Sequence, residues 1–136
     1  MKADANKRMQ TAVVTALIVS ALIVAAACAL PAFCMGSLNG ECLPLLESAR
    51  EAAIAGDFGT AHELLACAAK IEEAHLPHLK LFFDHNSTAA LDLSVRTACD
   101  LAIIGEASQL IAEIDSAIGS LQFLNGVTQS GPGELL

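Results

Sequence analysis

The chain has 136 residues, a net charge of −8 and a hydrophobic fraction of 54%, with five Phe and no Trp or Tyr. This length supplies one domain, and a core of small aliphatic side chains favours packed helices over a β-sandwich. Downstream of its apolar N-terminal segment the chain carries fourteen acids against four bases. Such an acidic body repels phosphate backbones, so the composition argues against nucleic-acid binding.

An uncharged apolar stretch follows a short basic tip. Residues 1–8 carry a net charge of +2, no charged side chain occurs from Met9 to Gly40, and residues 11–33 are almost entirely Ala, Val, Leu and Ile. A helix of this length crosses a hydrocarbon layer of about 30 Å. The pattern predicts a transmembrane anchor over residues 9–34 that contacts the lipid bilayer through residues 11–33. The basic tip predicts a single-pass protein of the cell membrane, with its N-terminus cytoplasmic and its C-terminal body extracytoplasmic.

Two other interpretations of this segment stay open. A basic start followed by an apolar stretch also describes a cleaved signal peptide, and Ala25-Ala26-Ala27 supplies small residues for cleavage. Cys28 directly afterwards would suit lipid modification, although Ala25 stands where such signals usually carry Leu. We favour an uncleaved anchor because the apolar character continues to Phe33. All three interpretations place the body outside the cytoplasm.

The sequence predicts an extracytoplasmic helical domain over residues 37–124. Gly36 to Gly40 is expected to be a flexible exit from the membrane, and Pro44 to open a helix that runs to Ala55. Gly56-Asp57 should end that helix and cap a second one, over residues 58–74. Two amphipathic helices joined this tightly are typical of an antiparallel hairpin.

Two further helices are predicted. A third should run from Pro77 to Ile104, with a bend where Asn86-Ser87-Thr88 competes for backbone hydrogen bonds, and a fourth over residues 106–124. Residues 125–136 are expected to form a flexible tail. The predicted fold class is therefore all-α, with an N-terminal transmembrane helix followed by a small antiparallel bundle of about four helices. Helical spacing predicts these core residues: Leu64, Leu65, Phe82, Ile114 and Leu121. Further inward candidates on the third helix are Leu79, Ala89, Leu93 and Leu101.

Three motifs carry a resemblance to a known family. They are Ala-x-x-Gly-Asp-Phe-x-x-Ala from Ala53 to Ala61, Leu-x-x-Phe-Phe-x-His from Leu79 to His85, and Leu-x-Phe-Leu from Leu121 to Leu124. With the apolar anchor before them, the chain resembles a bacterial family of short membrane-anchored helical proteins of unknown function (domain of unknown function 4363). The resemblance implies the same architecture and no reaction. The chain departs from the family at Ser87, where members usually carry Glu.

Histidine is the most suggestive polar residue type of the body. His78 and His85 would lie two turns apart on one face of the predicted third helix, which makes them weak candidates for a metal site. That spacing spans about 10 Å, too far for one ion without an intervening ligand. We therefore predict no metal and no cofactor, and a structural, hydrogen-bonded role for His85 on the inward face beside Phe82 and Ala89.

Cysteines and carboxylates give weaker signals. Cys34 with Cys42, and Cys67 with Cys99, could form disulfides in an extracytoplasmic protein, but five cysteines leave one over and buried free thiols are the default expectation. The adjacent Glu72-Glu73 pair is expected to be a solvated face. The sequence carries no recognisable catalytic motif, so we expect no enzyme.

Two hypotheses for function follow from these patterns. The leading one is a membrane-tethered, non-enzymatic protein-interaction or structural module that binds another protein of the cell envelope. The alternative is a small ligand- or metal-binding helical bundle that uses His85 and the neighbouring histidines.

Overall fold

The computed structural model describes residues 1–130, which form four α-helices and no strand. Helix α1 spans Lys2–Ile54, α2 spans Phe58–Phe82, α3 spans His85–Ile104 and α4 spans Ala107–Gln129. The chain divides into two compact units, Met1–Pro31 and Ala32–Leu136. The predicted all-α fold class is confirmed.

The first unit is the N-terminal part of α1. Every side chain from Met1 to Leu30 is exposed. Within the described residues α1 is the one helix long and apolar enough to cross a membrane, and its most apolar 18-residue window has a mean hydropathy of 2.7 with no residue buried.

The second unit is a bundle to which all four helices contribute. Helix α2 packs on α3, and α3 packs on α4. The C-terminal part of α1 belongs to the same apolar cluster and contacts both α2 and α4 through side chains. Leu and Ala dominate the core, whose largest fully buried aliphatic residues are Leu38, Leu46, Leu65, Leu79, Leu91, Leu110, Ile114, Leu121 and Leu124.

The turn between α1 and α2 confirms the prediction made from Gly56-Asp57. Gly56 has a φ of 78°, a conformation that Gly adopts without steric cost. Asp57 caps α2 by accepting hydrogen bonds from the Thr60 N–H at 3.1 Å and from the Thr60 hydroxyl at 2.7 Å. Both hydrogen bonds hold the pKa of the Asp57 carboxyl below its usual range.

The predicted flexible exit at Gly36 to Gly40 is wrong. These residues lie inside α1, and so does Pro44, which was expected to open a new helix. Met35 and Leu38 are fully buried, and they continue the inward stripe of the later residues of α1. Burial of these side chains offsets the low helix propensity of the two glycines.

The predicted start of the third helix at Pro77 is also wrong. Pro77 lies within α2, and the chain breaks instead at Phe83 and Asp84. Asp84 accepts the Ser87 N–H at 2.6 Å and the Ser87 hydroxyl at 2.9 Å. Residues on both sides of Pro77, Leu76 and Leu79, are buried, so packing holds α2 together across the proline.

This new start changes the face that α3 turns inward. Its buried residues are Thr88, Leu91, Ser94, Val95, Ala98 and Ala102. Leu79, now on α2, is buried as predicted, and Leu101 is half-buried. The predictions for the other inward candidates are wrong, because Phe82 is 38% exposed, Leu93 is 67% exposed and Ala89 is also exposed.

The remaining core predictions are confirmed for three residues and in part for a fourth. Leu65, Ile114 and Leu121 are fully buried, as predicted, and Leu64 is half-buried against the core. Gly105, with a φ of 81°, ends α3 as expected. Helix α4 continues through Asn125-Gly126 to Gln129, so the prediction of a tail from residue 125 is wrong up to that point. Residues 131–136 of the predicted tail lie outside the described residues.

Candidate functional site

Glu72 is the polar side chain of the body with the most unusual environment. It lies on the inward stripe of α2, which consists of Ala61, Leu65, Ala68, Glu72, Leu76 and Leu79. A carboxyl group therefore occupies a position at which helical spacing calls for an apolar residue. Glu72 is 2% exposed, whereas its neighbour Glu73 is exposed. The expectation of a solvated face is correct for Glu73 and wrong for Glu72.

A cavity of about 220 Å³ lies beside Glu72, between α2 and α3. Helix α2 lines it with Ala69, Glu72 and Glu73, and helix α3 with Asp92 and Arg96. The Arg96 Nε–H donates to Asp92 Oδ1 at 2.8 Å, across one turn of α3. This hydrogen bond raises the pKa of Arg96, so the guanidinium stays charged and bound to Asp92.

One oxygen of the Glu72 carboxyl group lacks a hydrogen-bond partner in this arrangement. Its Oε1 atom is buried and has no hydrogen-bond partner among the described residues. The pKa of Glu72 is raised to about 7, chiefly by burial and then by the nearby charge of Asp92, while the charge of Arg96 acts in the opposite direction. A carboxyl group with this pKa exchanges its proton near neutral pH, which is characteristic of functional sites.

Two thiols share this region of the bundle. Cys42 of α1 is buried, and its Sγ contacts the backbone oxygen of Ala68 at 3.5 Å. Burial, and then the charges of Glu72 and Glu41, raise the pKa of Cys42 to about 12, so this thiol stays protonated and unreactive at neutral pH. Burial, followed by the charges of Asp100 and Glu72, also raises the pKa of Cys99.

All five cysteines are free thiols. The disulfides considered for Cys34 with Cys42 and for Cys67 with Cys99 are not formed. The default expectation of buried free thiols holds for Cys42 alone, because Cys34 and Cys99 are half-buried, and Cys28 and Cys67 are exposed.

The structure does not bring the predicted histidine site together. His78 is exposed on α2, and His85 is the exposed first residue of α3, so the helix break separates them. The predicted inward, hydrogen-bonded role of His85 is therefore wrong. The half-buried histidines are instead His62, whose Nδ1 lies 3.3 Å from the Cys99 carbonyl oxygen, and His75, whose Nδ1 lies 2.8 Å from that of Ile71.

Within residues 1–130 no group of three or more His, Cys, Asp or Glu side chains could hold a metal ion. A second cavity, of about 380 Å³, lies between α3 and α4 and is lined by Ser87, Ala90, Ser116, Gly119, Ser120 and Phe123. Apart from Phe123, the residues that line this cavity are small or carry a hydroxyl group, and none of them is ionisable. Of these two cavities, the one beside Glu72 is lined by ionisable side chains, and it is therefore the candidate functional site.

Comparison with protein-family models, curated proteins and solved structures finds no match to this chain. The resemblance to the membrane-anchored bacterial family therefore stays a prediction that these comparisons do not test.

Proposed function

We propose that this chain is a membrane-tethered helical protein whose extracytoplasmic body binds another protein of the cell envelope. The membrane tether is supported by one observation above all: every apolar side chain from residue 11 to residue 30 is exposed. All residues in this range except Thr11, Thr15 and Ser20 are apolar, and such a stretch is unfavourable in water and favourable in lipid. The lipid bilayer is the environment that this segment fits.

The direction of the anchor follows from charge. The tip before the segment carries +2, and the residues after it carry four bases against fourteen acids. A basic tip stays on the cytoplasmic side, so the acidic body is outside. The family resemblance supports the same placement in a bacterial envelope.

We further propose that neighbouring helices of the body run antiparallel. Three contacts between consecutive helices support this arrangement: Cys42 with Ala68, His62 with Cys99, and Ser94 with Ser116. In the first pair the two residues lie at similar distances from the turn at Gly56, as they do in an αα-hairpin. The very short links between helices favour the same topology.

Exposed apolar side chains on the body support a role in protein binding. Leu93, Ile103 and Ile104 of α3 are each about two-thirds exposed or more, at 67%, 70% and 69%. Phe123 of α4, at the α3–α4 cavity, is 62% exposed. Large exposed apolar side chains on these two helices offer contact area to a partner protein. The body acts by binding, without a reaction of its own.

Fractionation tests the placement. The full chain should stay in the membrane fraction through carbonate washing, and protease added outside spheroplasts should digest the body. Release of a shortened chain into the soluble fraction would show a cleaved signal, and protection of the body would show the opposite orientation.

Site-specific photo-crosslinking tests the partner. A photoreactive residue at Ile103 should capture a defined envelope protein in living cells, while the same residue at Lys70, an exposed position of α2, serves as the matched control. Equal adducts at both positions, or none at Ile103 and Phe123, would refute the proposed binding surface.

A further inference from the structure

We propose that the cavity between α2 and α3 binds a primary ammonium group, with Glu72 as its buried acceptor. The group would belong either to a Lys side chain of a partner protein or to a free small amine. The first source rests on the proposed function, whereas the second does not depend on it.

The first step of the argument is the unpartnered acceptor. Glu72 Oε1 is buried without a hydrogen-bond partner among the described residues, and the residue lines the cavity. Buried polar atoms in folded proteins are nearly always hydrogen-bonded, so an orphaned carboxylate oxygen at a cavity wall indicates a donor that arrives from outside. The donor must be an N–H or O–H group.

The second step is the charge of the walls. With Glu72 ionised, the cavity carries three carboxylates, of Glu72, Glu73 and Asp92, against the single guanidinium of Arg96. Arg96 is already bound to Asp92, and its side chain is 64% exposed, which places it at the rim. The remaining negative charge favours a cation over a neutral or anionic ligand.

The third step distinguishes a molecular cation from a metal ion. The carboxylates do not converge closely enough to count as a group that could hold a metal. An ammonium group has three separate donors and tolerates acceptors that lie in different directions. The volume of about 220 Å³ equals roughly seven water molecules of the liquid, which suits an ammonium on a short alkyl chain packed against Ala69.

The proposal has a pH signature, because only the carboxylate form of Glu72 balances a bound cation. Burial raises the pKa of Glu72 to about 7, so binding should expel a proton and affinity should rise with pH, by at most tenfold per unit, before it levels off above pH 7. The charged groups facing Glu72 are Glu73, Asp92 and Arg96. Cys42 of α1, whose pKa is raised to about 12, stays neutral throughout this range.

The test uses the full chain in zwitterionic micelles and titrates it with butylamine, followed by NMR of the backbone amides. We expect saturable shifts at Ala69 and Glu72, and an affinity that increases from pH 6 to pH 8. Glu72→Gln keeps the side-chain shape and should weaken binding at least tenfold. Glu63→Gln, at an exposed position of α2 outside the cavity, is the matched control and should change binding by twofold or less. Butanol, which lacks the charge, should bind at least tenfold more weakly than butylamine.

Three results would overturn the proposal: equal binding of butanol, equal binding by Glu72→Gln, or an affinity independent of pH in the unmodified chain. The last measurement needs no variant and so does not depend on the folding of any substitution. If the pentapeptide acetyl-Ala-Ala-Lys-Ala-Ala-amide binds more tightly than butylamine, the ligand is a Lys side chain. If butylamine alone binds, the ligand is a free amine, and the site stands even if the crosslinking at Ile103 fails.

Discussion

Residues 1–31 and the body that begins at Ala32 are both helical and rich in Ala and Leu, yet they differ in whether their apolar side chains are exposed or buried. In the first region no side chain through Leu30 is buried. In the second, each helix buries one stripe at spacings of three and four residues and exposes the rest. A helix that is apolar all round is expected where lipid surrounds it, whereas a helix with one periodic apolar stripe packs that stripe against other helices.

The two regions also differ in how they treat charge. Residues 9–31 contain no charged side chain, whereas the body buries one carboxyl group, Glu72, in its apolar stripe. A buried carboxyl group is tolerated in the body because it can take up a proton, as its raised pKa shows.

Charge in the first region should abolish its association with lipid. The double change Leu17→Arg and Leu22→Arg places two guanidinium groups near the centre of the apolar run, at a cost of about 2.5–3.5 kcal/mol each on insertion scales. We expect the variant to lose carbonate-resistant membrane association. Leu93→Arg, at an exposed position of the body, is the control and should stay in the membrane fraction. Unchanged retention of the double variant would show that lipid does not surround this segment.

Removal of core volume should destabilise the body alone. Leu65→Ala and Ile114→Ala, both at fully buried positions, should each lower the free energy of unfolding by about 2–5 kcal/mol through lost burial and a residual cavity. Urea unfolding of the full chain in micelles, followed by circular dichroism, measures the loss. Leu93→Ala should change the same quantity by about 0.5 kcal/mol or less. If both core variants unfold at the midpoint of the unmodified chain, the core assignment fails.

The burial of Glu72 should make the body less stable at neutral than at mildly acidic pH. Its pKa is about 7 in the folded chain against 4.5 for the free group, so between these values the folded state binds more protons than the unfolded state. Stability therefore falls as the pH rises through this window and is constant above it, with a total loss from this group of about 3 kcal/mol. Urea unfolding at pH 4.5, 6 and 8 measures the decline.

Matched variants separate Glu72 from the other carboxyl groups. Glu72→Gln should remove most of the decline, because the buried side chain no longer titrates. Glu63→Gln, at an exposed position of α2, should leave the decline intact. A decline of the same size in the Glu72→Gln variant would assign the pH dependence to another group.

The smallest effect should come from the cap of α3. Asp84→Ala removes both acceptors of the Ser87 hydrogen bonds, so the first turn of α3 should fray. We expect roughly fivefold faster amide hydrogen exchange at Ser87 and Thr88, with global unfolding little changed. Asp84→Asn keeps an acceptor and should largely restore protection. Equal protection in the Ala variant would mean that packing of Thr88, rather than the cap, fixes this start.

Features that depend on local chemistry could be predicted from the sequence. Gly56-Asp57 ends one helix and begins the next because Gly accepts a positive φ and Asp accepts the first free N–H groups, and both preferences act within a few residues. Gly105 ends α3 for the same reason. The helical class, the apolar N-terminal segment and the buried positions Leu65, Ile114 and Leu121 also followed from composition and spacing.

Where local preferences compete with packing, contacts between helices fix the outcome. Gly36, Gly40 and Pro77 each favour a helix end, but burial of Met35, Leu38 and Leu79 around them keeps both helices intact. The break therefore falls at Asp84, which leaves His85 exposed.

The environment of Glu72 also depends on packing between helices. As neighbours in the sequence, Glu72 and Glu73 were both expected to be solvated. The signal that separates them is spacing, because Glu72 lies four residues from both Ala68 and Leu76 on the buried stripe of α2. The depth of its burial and the position of Arg96 opposite it arise from the contact between α2 and α3. No pattern within a single helix contains that contact, because desolvation depends on what the neighbouring helix places over the side chain.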